Sequence, residues 1–175
     1  MSGHSHWSGI KHQKEITDKK RAQIFSKLLM AVSAAAKTEP NPDFNPRLRS
    51  AIEKAREFSV PSDNIARAIK RASEAGKELE ELLFEAYGLG GAALLIFALS
   101  DNVNRVVQEI KTILNENGGK WAEPGSVRWA FEKIADGWSP KFSSTLPPDE
   151  KIKMEKLVSA IMEHDAVQDV FTNAQ

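Results

Sequence analysis

Three segments in the first half of the chain repeat apolar residues at three- and four-residue steps, which is typical of amphipathic helices. Thr17 can cap a first helix over residues 18–37, and Asn45 followed by Pro46 indicates the start of a second. A third helix is predicted to start near Ser62. Their apolar stripes are Ile24, Phe25, Leu28, Leu29, Val32 and Ala36; Leu48, Ala51, Ile52 and Ala55; and Ile65, Ala68, Ile69 and Ala72. Such stripes must be buried against one another, so we expect a three-helix bundle.

The pattern changes in the second half, where strands are predicted between helices. Residues 82–87 and 92–100 flank the glycine-rich stretch 88–91, whose glycines can adopt positive φ, and this predicts a hairpin. Further helices are predicted over 104–117 and 149–163, and further strands over 126–133, 141–146 (an edge strand) and 167–172. Strand, helix, strand, strand, helix, strand is the ferredoxin-like order. The predicted fold class is α+β: an N-terminal three-helix bundle followed by a ferredoxin-like α/β domain with an extra N-terminal hairpin strand.

The formal net charge of zero hides an asymmetry between the two halves. Residues 1–76 carry 14 Lys and Arg against 8 Asp and Glu, whereas residues 77–175 carry 10 against 16. We therefore expect a basic helical nucleic-acid-binding domain over 1–76 and an acidic ferredoxin-like domain over 77–175. Charge alone equally allows two solvated domains that differ by chance.

The N-terminal segment and the third helix carry the candidate contacts to nucleic acid. Cations, hydroxyls and one aromatic ring are the groups that contact phosphates and stack on bases. On the third helix, the spacing i, i+3, i+4 places three cations together. A solvated tail and a solvated helix face are the alternatives. The candidates are His4, Ser5, His6, Trp7, Lys11, His12, Lys14, Lys19, Lys20, Arg21, Arg67, Lys70 and Arg71.

Several classes of site and location are disfavoured by the sequence. The chain has no cysteine, and it lacks a His-x-x-x-His pair with a glutamate, so we expect no enzyme, no metal site and no cofactor. His164 is solitary in the sequence and is interpreted as a helix-end residue.

The longest apolar run, residues 90–99, is shorter than the roughly 20 residues of a membrane-spanning helix. Because no secretory signal is evident at residues 1–6, we expect a cytoplasmic location without a membrane partner.

A resemblance to a known family covers nearly the whole chain. Residues 3–14 read GHSHWSGIKHQK, which resembles the opening of the YebC/PmpR family; that family includes the mitochondrial translational activator of cytochrome oxidase subunit I. Further motifs follow in family order: NPRLR at 45–49, PSDNI at 61–65, RAIKR at 67–71, EAYG at 85–88 with GG at 90–91, DNVNR at 101–105, GG at 118–119, GSV at 125–127, FEK at 131–133 and VQDVFTN at 167–173.

The resemblance implies a helical N-terminal domain, an α/β remainder and a role in gene expression without known catalysis. It also makes Tyr87, Asp101, Asn102, Asn104 and Arg105 a possible recognition loop, although capping of the following helix is the alternative for 101–105. Two departures stand out. His6 occupies a position where the family usually has lysine, and a few residues around 134–139 stand where family members usually carry a further α/β domain. The chain thus resembles a short form without the inserted third domain.

Three classes of function remain open. The leading hypothesis is a nucleic-acid-binding regulator of gene expression that acts as an RNA- or ribosome-associated translation factor, because Trp7 can stack on unpaired bases and no major-groove recognition helix is evident. A DNA-binding transcriptional regulator is the first alternative, and a protein-interaction adaptor acting through the acidic half is the second. The expected partners are ribosomal RNA or DNA, with the ribosome itself, and the expected state is a monomer.

Overall fold

The computed structural model describes residues 17–74 and 78–175, which fall into two compact units that divide between Leu79 and Glu80. We call them the helical unit (17–74 with 78–79) and the α/β unit (80–175). The boundary expected after Gly76 lies outside the described residues.

The helical unit contains the three predicted helices. They are α1 (Asp18–Ala36), α2 (Pro46–Glu57) and α3 (Ser62–Ala72). Thr17 caps α1 as predicted, since its hydroxyl accepts a hydrogen bond from the Lys20 amide at 3.3 Å. The stripes face inward: Ile24, Leu28, Val32, Leu48, Ile52 and Ile65 are all buried.

Asn45 joins α1 to α2 and does more than the predicted capping. Its Oδ1 accepts a hydrogen bond from the Leu48 amide at 3.0 Å, which is the expected N-cap. Its Nδ2 also donates to the carbonyl oxygens of Ala35 and Glu39, both at 2.8 Å. One buried amide thereby satisfies backbone groups at the end of α1 and at the start of α2.

The α/β unit contains six strands and two α-helices. In chain order they are β1 (Glu80–Tyr87), β2 (Ala93–Ser100), α4 (Val103–Glu116), β3 (Lys120–Ala122), β4 (Phe131–Ile134), β5 (Gly137–Pro140), α5 (Pro148–Met162) and β6 (Val167–Thr172). The main sheet is antiparallel with the order β3-β1-β2-β6, and β4 and β5 form a separate hairpin.

Both faces of β2 are covered, which explains its continuous apolar sequence. On one face, Ala93 and Leu95 pack with Val127, Ala130, Phe131 and Phe171, and Trp138 of β5 packs against the same cluster. Leu94 and Ile96, which alternate with Ala93 and Leu95 in the sequence, point to the opposite face because side chains alternate along a strand. The two helices α4 and α5 contact each other, and they contact β3 and β6, respectively.

The predicted α+β class is confirmed, with a helical part followed by an antiparallel sheet that carries two helices. The first hairpin is confirmed as well, and Gly90 and Gly91 adopt positive φ in its turn. The strand expected as an extra member, β1, lies inside the sheet between β3 and β2. The short strand β3 was not predicted, because three residues are too few to show a period.

The strand predicted over 126–133 is wrong in its first half. Residues 128–130 form a 3₁₀ turn, and β4 begins at Phe131. The physical reason is that the backbone amides of Gly125, Val127 and Arg128 donate to the carboxylate of Glu85 and not to a neighbouring strand. In the predicted strand, Val127, Trp129 and Phe131 would share one side, but in the structure Val127 and Phe131 are buried and Trp129 is 62% exposed.

The edge strand predicted over 141–146 is also wrong. The strand that pairs with β4 is β5, which lies in the stretch expected to be a connection. The backbone of residues 144–146 instead bonds to the C-terminal residues: the Ser144 amide donates to the Asn173 carbonyl at 2.7 Å, and the Leu146 amide donates to the Gln175 carbonyl at 3.0 Å. These bonds leave Ser144 in an isolated bridge with Ala174.

Candidate nucleic-acid interface

Seven of the candidate residues lie outside the described part of the chain. They are His4, Ser5, His6, Trp7, Lys11, His12 and Lys14. Their role in binding nucleic acid stays a prediction from the sequence.

The cations at the start of α1 are exposed but point in different directions. Lys19 precedes Ser26 by seven residues, close to two helical turns, so both lie on one face of the helix. Lys20 and Arg21 are turned away from that face by the 100° step per residue, and Arg21 lies 3.6 Å from the Asp18 carboxylate. Lys27 continues the basic stretch in the sequence, but it is buried and does not belong to this surface.

A groove with a volume of about 400 Å³ runs between α1 and α3. Ser33 holds the two helices together there, since its Oγ donates to the Ala68 carbonyl at 2.9 Å. The lining combines apolar side chains with polar and cationic ones: Ser26, Leu29, Met30 and Ser33 of α1, Asn64, Arg67, Ala68 and Arg71 of α3, and Leu79. Two of the three predicted α3 cations therefore border one concave surface, and Lys19 lies further along the same face of α1.

The three α3 cations have different environments. Arg67 is tethered within its own helix, because its guanidinium donates to Asn64 Oδ1 and to the Asp63 carbonyl. Lys70 and Arg71 lie in the last turn, where the negative end of the helix dipole favours cations. All three are exposed. This ridge therefore carries charge that is available to a polyanion.

The structure does not bring together the residues of the possible recognition loop. Tyr87 ends β1 opposite Ala93, whereas Ser100, which precedes Asp101, pairs with Glu80 at the start of β1. Seven residues of extended strand separate the two ends, about 24 Å at roughly 3.4 Å per residue. Tyr87 therefore belongs to a different surface from residues 101–105.

Residues 101–105 begin α4, and their local contacts are those of a helix start. Asn102 is the N-cap, accepting a hydrogen bond from the Arg105 amide at 3.1 Å. Arg105 pairs with Glu109 at 3.0 Å, so part of its charge is compensated within the helix. Asp101 and Asn104 are exposed. A recognition role for this segment stays a prediction.

His164 is not solitary in the fold. Its Nε2 lies 2.6 Å from Glu109 Oε2, and its Nδ1 accepts a hydrogen bond from the Ala166 amide at 3.1 Å. The hydrogen bond from His164 is the largest influence on the pKa of Glu109; burial opposes it, and the charges of Arg105 and His164 help to hold the pKa below its ordinary value of 4.5. The histidine thus connects the end of α5 to α4.

Glu85 is an important residue that the sequence analysis did not single out. Its carboxylate is buried and accepts hydrogen bonds from the amides of Gly125 (2.6 Å), Val127 (2.7 Å) and Arg128 (2.9 Å). Burial raises the pKa of Glu85, but these three bonds and the charge of Arg128 outweigh it, so the pKa lies below 4.5. Glu85 therefore fixes the loop 123–128 as an anion held by backbone amides.

Within residues 17–74 and 78–175, no group of three or more His, Asp or Glu residues could hold a metal ion. No helix in these ranges combines the length and the apolar character needed to cross a membrane.

Comparison with known proteins gives matches along most of the chain. The model of the TACO1/YebC protein N-terminal domain matches residues 5–75, and the model of the TACO1/YebC second and third domain matches residues 79–136. One solved structure, a conserved hypothetical protein Aq1575 from Aquifex aeolicus, is 28% identical with a TM-score of 0.86, covering 98% of this chain and 97% of that one.

Curated relatives share up to half of their aligned residues with this chain. A "Probable transcriptional regulatory protein" of Fervidobacterium nodosum is 50% identical over 136 residues, which is 76% of this chain and 54% of the relative. One of Solibacter usitatus with the same name is 44% identical over 165 residues, which is 93% of this chain and 63% of the relative. The chain thus spans between about half and two thirds of the length of these relatives.

Proposed function

The chain belongs to the TACO1/YebC family, and on that premise we propose that it is a non-enzymatic regulator of gene expression that binds nucleic acid. The binding surface is the helical unit, and the target is RNA, with the ribosome as the place of action and the cytoplasm as the compartment. The relatives' name supports regulation of gene expression in general.

The groove between α1 and α3 carries the proposal. Its apolar residues Leu29 and Met30 offer a surface for the face of an unpaired base, and Arg67 and Arg71 on the other side are placed for the adjoining phosphates. A duplex hides its base faces by stacking, so an apolar groove edged by cations favours a single strand. Lys19 extends the positive surface along α1.

The second candidate target is duplex DNA, and both the relatives' name and one feature of the structure favour it. Arg67, Lys70 and Arg71 form an exposed ridge on a helix of 11 residues. Such a ridge can bind a phosphate backbone irrespective of base pairing. A direct comparison of targets decides between the two candidates.

The test uses the full chain and a charge reversal on α3, Lys70→Glu with Arg71→Glu. We expect this variant to lose at least about tenfold in affinity for a labelled single-stranded RNA, because two phosphate contacts become repulsive. Fluorescence anisotropy at low salt, against single-stranded RNA, duplex RNA and duplex DNA, measures the loss and ranks the targets.

The matched control reverses two exposed cations of the α/β unit, Lys153→Glu with Lys156→Glu on α5. It changes the net charge by the same amount as the α3 variant. Equal losses of RNA affinity in both variants would therefore show that overall charge causes the loss, and they would contradict a binding surface on α3. Tightest binding to duplex DNA would select the transcriptional candidate. Absence of binding to any nucleic acid would favour the protein-adaptor alternative.

Sedimentation with ribosomal subunits tests the place of action. The wild type should sediment with subunits at low salt and be released as salt is raised, whereas the α3 variant should stay in the supernatant. Cosedimentation of both proteins to the same extent would contradict a ribosome contact through the helical unit.

A further inference from the structure

Three exposed aromatic side chains of the α/β unit lie close together, two of them bonded to the carbonyl of Ser126 and the third beside the ring of Trp129. Tyr87, Trp129 and Phe142 are 36%, 62% and 47% exposed. The Tyr87 hydroxyl and the Trp129 Nε1 both donate to the Ser126 carbonyl, at 3.5 Å and 2.8 Å, and the rings of Trp129 and Phe142 lie 5.6 Å apart between centroids. We call these three residues the aromatic strip.

Tyr87 and Trp129 are held in place by their polar atoms, while the three side chains of the strip stay exposed. The indole N–H of Trp129 is bound to backbone, and the loop that carries it is fixed by the three amide bonds to Glu85. A ring that is already ordered loses little conformational entropy when a partner binds. The exposure of Trp129 therefore reflects a fixed, presented side chain.

Each ring of the strip has a cation as its neighbour along the chain or across the strand pair. Lys120 is the cross-strand partner of Tyr87 and lies on the same face of the sheet. Arg128 precedes Trp129, with its guanidinium 5.1 Å from the Trp138 ring centroid, and Lys141 precedes Phe142. The acidic residue of the loop 123–130 is Glu123. Ring faces interleaved with cations are the combination that binds single-stranded nucleic acid, with bases stacked on rings and phosphates on cations.

We propose that the aromatic strip stacks unpaired bases of a single-stranded RNA and is a second contact site, in the α/β unit, beyond the cationic surface of the helical unit. The inference rests on the proposed function, since it assumes that RNA is the ligand. The net negative charge of the α/β unit alone would not indicate such a contact. Stacking needs ring faces and tolerates any base, so the site adds affinity for single strands without selecting a sequence.

The experiment compares two substitutions at one position in the full chain. Trp129→Leu keeps an apolar side chain but removes the planar ring, and Trp129→Tyr keeps a ring. We expect Trp129→Leu to weaken binding of a labelled single-stranded RNA about 5- to 100-fold, and Trp129→Tyr to recover most of the loss. Phe142→Leu should weaken binding in the same direction and provides a second variant.

Ile152→Ala is the matched control, because Ile152 is an apolar residue of the same unit that is 69% exposed and lies on α5, outside the strip. It should bind RNA as the wild type does, and circular dichroism should show all variants folded. Trp129→Leu should weaken the binding of duplex RNA less than that of a single strand, because the bases of a duplex are already stacked.

The outcomes separate this inference from the proposed function. If the α3 charge reversal weakens RNA binding while Trp129→Leu and Phe142→Leu bind as the wild type does, the proposed function stands and the aromatic strip does not stack bases. Equal losses for single-stranded and duplex RNA, or no recovery in Trp129→Tyr, would also overturn stacking. If the wild type binds no RNA, the stacking role and the RNA target both fail, and only the duplex-DNA candidate or the protein-adaptor alternative remains.

Discussion

Glu85 and Val127 are joined by a hydrogen bond of 2.7 Å from a backbone amide to a buried carboxylate, across 42 positions of sequence. The same carboxylate also binds the amides of Gly125 and Arg128. This contact turns a segment with the alternating pattern of a strand into a fixed loop, and it presents Trp129 to the surface.

Glu85→Gln should destabilise the α/β unit. The amide NH₂ of glutamine would face a backbone N–H where an oxygen now accepts one, so at least one buried donor loses its partner and the charge-assisted bonds weaken. We expect a loss of about 1.5 to 3 kcal/mol in the free energy of unfolding. Urea denaturation followed by tryptophan fluorescence measures it, since Trp121, Trp129 and Trp138 lie in this unit. Glu80→Gln, exposed on the same strand, is the control and should change little.

The stability of the same unit should depend on pH through Glu85. The pKa of Glu85 in the folded protein lies below 4.5, so its ionised form stabilises the fold. This stabilisation is fully present above the pKa that Glu85 has in the unfolded chain, and it is lost as the pH falls through the pKa that Glu85 has in the folded protein. We expect the difference in unfolding free energy between wild type and Glu85→Gln to shrink below about pH 4.5. Glu109, whose pKa is also lowered, is present in both proteins and cancels from the difference. A difference that stays constant from about pH 7 to 3 would contradict the role of the charge.

The predictions that succeeded rest on local chemistry. Thr17 and Asn45 cap helices with their own neighbours, and the stripes of α1 to α3 can be read within a few turns of chain. The alternation of Val127, Trp129 and Phe131 is local too, but the Glu85 carboxylate, which accepts the amides of Gly125, Val127 and Arg128, lies about 40 residues earlier. No pattern within the segment could reveal that competitor. One signal of a turn was available: the apolar residues Ala130 and Phe131 follow Val127 by three and four positions, a helical spacing.

For the candidate site, too, local features could be predicted from the sequence, but the spatial arrangement of the residues could not. Charge counting found the cations of α1 and α3, but it could not separate the exposed Lys19 from the buried Lys27 on the same helix. Motif order placed Tyr87 with Asp101 in one possible recognition loop, whereas strand register puts them at opposite ends of β1 and β2. Which residues share a surface depends on sheet pairing, which sequence order does not give.

Gly137 should tolerate substitution less well than Gly125, although both adopt positive φ. Gly125 has φ of 90° and open space where a Cβ would lie, whereas at Gly137 (φ 132°) a Cβ would meet the Phe171 ring at 2.5 Å. Gly125→Ala should cost about 1 kcal/mol from backbone strain, and Gly137→Ala about 2 to 4 kcal/mol, because the buried Phe171 must move as well. Thermal unfolding of the two variants checks the order. Equal costs would mean that the β4–β5 hairpin yields without disturbing the core beneath it.

The salt dependence of RNA binding should distinguish the two proposed surfaces, because a phosphate contact releases counterions and a stacked ring does not. Each of Lys70→Ala and Arg71→Ala should lower the slope of log affinity against log salt by about 0.7 for a single strand, if each cation neutralises one phosphate. Trp129→Leu should weaken binding at every salt concentration and leave the slope unchanged. Anisotropy titrations at several salt concentrations measure both quantities on the same samples. A change of slope in Trp129→Leu would mean that removing the ring also displaces Arg128 or Lys141 from phosphate, and an unchanged slope in the α3 variants would remove the ridge from the interface.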